Sequence, residues 1–162
     1  MELNTTAKMK TAYIAHPISG DVKGNIDKVL NIVRELNLSD IELLPFAPYI
    51  VELQCLNDDV VSERAKGILN NLHIFKSGII DELWLYGDKV SKGMYTEIMS
   101  AYNLGIKIVA KTEETKAKLQ EYYDSLDYRE TEEDYWQERR KREVMVSECS
   151  SCGAIYWYDC HC

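Results

Sequence analysis

A carboxylate held at the cleft end of a helix can attack an electron-poor carbon, and Glu97 is the residue best placed here for that role. It closes the run Asp81-Glu-Leu-Trp-Leu-Tyr-Gly-Asp-Lys-Val-Ser-Lys-Gly-Met-Tyr-Thr-Glu97, which reads as a strand, a turn and the start of a helix. Ser91 can cap that helix. Met94 and Ala101 share a face with Glu97, roughly one and a half turns beyond the cap. A carboxylate so placed can trap an oxocarbenium-like anomeric carbon as a glycosyl ester, which water or a second base then resolves. Taken in isolation, the residue reads as an ordinary surface glutamate.

Two further groups carry chemical potential. Arg64, on the preceding helical stretch, offers a cation for phosphate or carboxylate; beside Glu63 it also reads as a solvated arginine. Four of the five cysteines fall in the last fourteen residues, as Cys149-Ser-Ser-Cys152 and Cys160-His-Cys162. That spacing suits a small tetrahedral structural zinc site, with Cys149, Cys152, Cys160 and Cys162 as ligands and His161 able to replace one. Reduced thiols or a redox pair are the other readings. Cys55 stands apart.

The elements that must position these residues are legible in the apolar pattern. Thr11 to Ala15 and Ile41 to Phe46 read as buried strands, each closed by turn residues. Ile26, Val29, Leu30, Val33 and Leu36 recur at helical spacing between them. From Asp59, the positions Val61, Ala65, Ile68, Leu72 and Phe75 predict a one-faced helix running to Gly78. Ile79 to Tyr86 and Ile106 to Ala110 are the third and fourth strands, and Gly105 ends the helix begun at Ser91. Trp84 and Tyr86 read as sheet-face packing, with a base-stacking platform as the alternative.

Strand and helix alternate four times, which predicts an α/β domain over residues 10–125. Its parallel sheet carries helices on both faces in the Rossmann or flavodoxin manner. Ligands of such sheets bind beyond the carboxyl ends of the strands. The loops at Ala15 to Gly24, Phe46 to Asn57 and Gly87 to Gly93 are therefore expected to converge on one cleft. Residues 126–146 read as a charged helical spacer, acidic first and basic last, in keeping with the helix dipole. The basic run Arg139 to Arg142 could instead touch nucleic acid. Residues 147–162 form the cysteine-rich tail.

Composition bounds the functions available. A chain of 162 residues, 46% hydrophobic, can bury one core. With 27 acidic and 19 basic residues the formal net charge is -8, which argues against broad contact with a nucleic-acid backbone. The polar start, Met1 to Lys10, lacks the pattern of a signal peptide, and no apolar run could span a bilayer. The expectation is a cytoplasmic protein without a membrane partner.

Tyr13-Ile-Ala-His-Pro-Ile-Ser-Gly20, the Asp81 to Ala101 segment and Gly105-Ile-Lys-Ile-Val109 together resemble the nucleoside 2-deoxyribosyltransferase family and its nucleotide N-glycosidase relatives. The resemblance covers about residues 10 to 112. It implies that Glu97 attacks C1′ of the sugar and that Tyr13 lies beside it. His16, Ser19 and Gly20 would lie against base or phosphate, while Ser91 and Gly93 would approach a 5′-phosphate at a helix N-terminus, where amides favour anions. Gly87 and Met94 belong to the same motif and are expected at the pocket. Asp88 would orient the ligand or cap the same helix. The family usually has an aspartate eight residues before the Asp81 equivalent; an ungapped match puts His73 there, either as a proton donor or as a structural histidine.

The resulting expectation is transfer or hydrolysis at the N-glycosidic bond of a nucleoside or its 5′-monophosphate, with no catalytic cofactor. The protein would be a homo-oligomer of phage or bacterial type. The rival is a binding protein that captures a nucleotide or nucleotide-derived signal in the same cleft. A nucleic-acid adaptor built on the tail is the third reading.

Overall fold

Strands form where β-branched and aromatic residues run together, and here they make a sheet buried on both sides. The computed structural model describes residues 9–125. Its elements in chain order are β1 (Lys10–Ala15), α1 (Val22–Ser39), β2 (Leu43–Phe46), α2 (Tyr49–Cys55), α3 (Val61–Lys76), β3 (Glu82–Leu85), α4 (Lys92–Leu104), β4 (Lys107–Ala110) and α5 (Glu113–Ser125). The strands lie in the order β2-β1-β3-β4, and every pairing is parallel. The spacer at 126–146 and the candidate zinc ligands Cys149, Cys152, Cys160 and Cys162 lie outside the described residues.

Side chains alternate across the sheet, so each strand feeds two cores. Tyr13, Ala15, Leu83, Leu85 and Ile108 point to one face and pack with Phe75 of α3, Met94, Ile98 and Ala101 of α4, and Leu119 of α5. Ala12, Ile14, Leu43 and Trp84 point to the other, where Val29 of α1 and Ile50 of α2 meet them. This is the doubly wound α/β arrangement. Trp84 is a sheet-face residue, 9% exposed, with the Lys111 ammonium 3.4 Å from its ring centroid. Among the described residues no helix is long and apolar enough to cross a membrane.

Two features depart from the sequence pattern. The segment after Phe46 is not simply a loop: Tyr49–Cys55 forms α2, with Pro48 at its N-cap. The apolar stripe of α3 also enters the core only at its C-terminal end. Leu72 and Phe75 are buried, whereas Ile68 is 42% and Val61 83% exposed. The first turns of α3 instead wall a cleft, lined by Glu63, Arg64, Gly67 and Ile68.

Candidate active site

The cleft opens beyond the carboxyl ends of β1 and β3, the place such sheets reserve for ligands. It encloses about 420 Å³ and draws its lining from all three expected segments: Ser19 after β1, Tyr49 and Glu52 on α2, and Ser91 and Gly93 before and on α4. α3 completes the wall with Arg64, Gly67, Asn71 and Phe75. A second hollow of about 550 Å³ lies at the opposite, amino end of the sheet near Lys10, Asp81 and Gly105. It is larger, but it contains none of the groups argued above for chemistry.

Glu97 lies in the cleft, and its carboxylate is held by a tyrosine from the central strand. Tyr13 Oη is 2.7 Å from Glu97 Oε1 and 3.1 Å from Asn71 Oδ1. A phenol has one proton to give, and the shorter contact to the acid takes it. Asn71, turned about its amide, can then donate to the phenol oxygen from its nitrogen. Tyr13 is fully buried. Burial first, and the Glu97 charge second, hold its pKa well above the ordinary phenol value, so it remains a donor.

Glu97 itself is pushed up to about 7 by burial, against the opposing pull of the Tyr13 hydrogen bond. Near neutral pH the site therefore holds the acid and its carboxylate in comparable amounts. Tyr49 adds a second phenol: its ring centroid is 6.0 Å from that of Tyr13. Its hydroxyl is buried without a hydrogen-bond partner among the described residues. Burial and the Glu97 charge raise its pKa too, with the neighbouring His16 backbone working the other way.

The mouth of the cleft suits an anion. Ser91 caps α4, its Oγ accepting from the Met94 amide at 3.3 Å, and the free amides of the first turn face the same space. Arg64 lines the cleft near this end and makes no ion pair among the described residues. His16 also lines it; its Nδ1 lies 2.7 Å from the Pro17 carbonyl oxygen, and burial lowers its pKa.

Several expected site residues lie elsewhere. His73 is exposed on α3 and does not line the cleft. The reason is helical phase: a residue turns about 100° from its neighbour, so with Asn71 facing Tyr13, position 73 points away. Asp88 is exposed and is not the α4 cap, which is Ser91; its charge acts weakly on His16. Gly87 and Gly20 shape the neighbouring loops without lining the space. Both have positive φ, +103° and +99°, and a Cβ on Gly87 would fall 2.5 Å from Pro17 Cδ. Met94 is 1% exposed and forms the cleft's apolar floor.

Conversely, the sequence reading missed Asn71, Tyr49 and Glu52. Asn71 was visible in principle, one helical turn before Phe75 on the same face. The other two were hidden in a segment read as a loop.

A solved structure described as that of a conserved protein from Enterococcus faecalis V583 is 20% identical, with a TM-score of 0.48; the match covers 83% of this chain and 99% of that one. No curated protein matches. Residues 10–111, from the first residue of β1 to just past β4, match the family described as Domain of unknown function (DUF7768), and the chain belongs to that family.

Proposed function

We propose that the chain binds a nucleoside or nucleoside 5′-monophosphate in this cleft and breaks its N-glycosidic bond, with Glu97 forming the glycosyl ester. The observation that carries the reading is the hydrogen bond from the buried Tyr13 to Glu97 in the strand-end cleft. One carboxylate oxygen is fixed by a protonated phenol and the other is left for the substrate, as nucleophilic catalysis requires. A cleft of about 420 Å³ is within the range of small-molecule pockets. Arg64 and the α4 amides offer donors for a phosphate, and the sequence resemblance supplies the sugar chemistry.

The test is incubation with deoxynucleosides, ribonucleosides and their monophosphates, with and without acceptor base, followed by chromatography. Free base or exchanged nucleoside is the expected product, and Glu97→Ala should lower its formation by about 10³-fold. Because a glycosyl ester needs the carboxylate, activity should rise with pH through about 7. If no common base is released while Glu97→Ala binds the same ligands as wild type, the catalytic reading fails.

One observation favours capture without turnover: His73, at the position of the family's acid, faces away from Glu97. In that case calorimetry shows binding that survives Glu97→Gln, and the ligand is recovered intact.

A further inference from the structure

α3 provides a ruler along the cleft. Asn71 lies 3.1 Å from Tyr13, and Tyr13 lies 2.7 Å from Glu97, so the nucleophile is level with residue 71. One turn earlier, a Cβ on Gly67 would stand 3.4 Å from Glu52 Oε2, so the Glu52 carboxylate is level with residue 67. Four helical residues rise about 6 Å. That axial offset is close to the roughly 5 to 5.5 Å between the paired carboxylates of glycosidases that form a covalent intermediate.

α2 points Glu52 the right way. Tyr49 and Glu52 are three residues apart on one helix and therefore share a face, and Tyr49 packs toward Tyr13 at 6.0 Å between ring centroids. Both line the cleft. The other acids there are less suited. Glu63 Oε2 accepts from the Asn57 amide at 2.7 Å, and Asp58 is exposed in the turn before α3. Gly67 matters as well: a Cβ there would only touch Glu52 Oε2, at 3.4 Å, but a longer side chain would push the carboxylate off α3.

We infer that Glu52 is the proton carrier of the site, the second carboxylate that works with Glu97 across the sugar–base bond. The inference rests on the glycosidic reading above and supplies the acid that His73 does not. In the first step a Glu97 oxygen bonds to C1′, and the C1′–N bond breaks with its electron pair going to the base. The base takes the proton held by Glu52. In the second step a water oxygen bonds to C1′ and the Glu97 ester bond breaks, restoring the Glu97 carboxylate. The water proton passes to Glu52, which is then ready for the next turnover.

The decisive comparison uses two leaving groups under single-turnover conditions, where base release reports the first step alone. An unmodified purine nucleoside 5′-monophosphate needs a proton on its departing base; the 7-methylguanine counterpart carries a cationic base and does not. Glu52→Gln should slow release from the unmodified nucleotide by about 10²-fold or more and from the methylated one by less than about tenfold. Gly67→Leu, which keeps Glu52 but displaces its carboxylate, should show the same selective loss in weaker form. Equal slowing of both substrates by Glu52→Gln, or slowing of neither, overturns the role of Glu52 while leaving Glu97 chemistry standing. If the wild type releases base from neither of these nor from any common nucleoside or nucleotide, the glycosidic reading falls and this inference falls with it. A melting curve of each variant separates loss of fold from loss of proton transfer.

Discussion

Glu97 sets a conflict between function and stability at a single side chain. Its carboxyl titrates near 4.5 when solvated and at about 7 in the folded cleft, chiefly because of burial. Between those values the folded state holds more protons than the unfolded one, so stability falls as pH rises through this window. The shift corresponds to at most about 3 kcal/mol of folding free energy above pH 7, less where cleft water reaches the carboxylate. Glu97→Gln keeps an oxygen that can accept from Tyr13 and removes the titration. Urea unfolding should find the variant more stable than wild type at pH 8, with the difference vanishing by about pH 4.5. A constant difference across that range would mean that Glu97 is not titrating as a buried acid. At this scale much of the site was legible, since Ser91, Gly93 and Glu97 line the cleft and the fully buried Tyr13 lies beside Glu97. His73 was misplaced because an ungapped match carries no information on which way a helical side chain points.

Helices and strands were legible where their signals were long. Ser91 and Gly105 bound α4 as a side-chain cap and a left-handed C-cap, and Met94, Ile98 and Ala101 are its buried face. α2 was not, for two physical reasons. Pro48 looks like a breaker, yet at an N-cap its missing N–H costs nothing. Seven residues are also too few for a helical period to declare itself, and Ile50 and Val51 favour extended backbone. The loops were legible as turns but not as neighbours. Gly87 and Gly20 share nearly the same φ, yet only Gly87 is pressed against Pro17. Gly20→Ala should therefore cost about 1 to 3 kcal/mol from backbone strain alone. Gly87→Ala should cost clearly more, because the proline ring must move as well. Chemical denaturation of the two variants tests this, and equal losses would show that the β1–α1 and β3–α4 loops do not brace each other.

Across the described residues, β1 and α4 are anchored by several fully buried side chains, whereas the wall bearing Tyr49 and Glu52 is not. β1 is fully buried from Ala12 to Ala15, and α4 buries Met94, Ile98, Ser100 and Ala101. α2 buries only Ile50. One side of the cleft is therefore a fixed anvil and the other a lightly docked flap. Local opening should be cheapest there, which gives amide exchange a clear spatial pattern. Deuterium should enter residues 49–56 well before β1 or β3. A ligand bridging Glu97 and Glu52 should slow that uptake and leave the strands unchanged, so binding would register as a change in the lifetime of one short helix. Uniform protection of all three segments in the free protein would contradict this division of the fold.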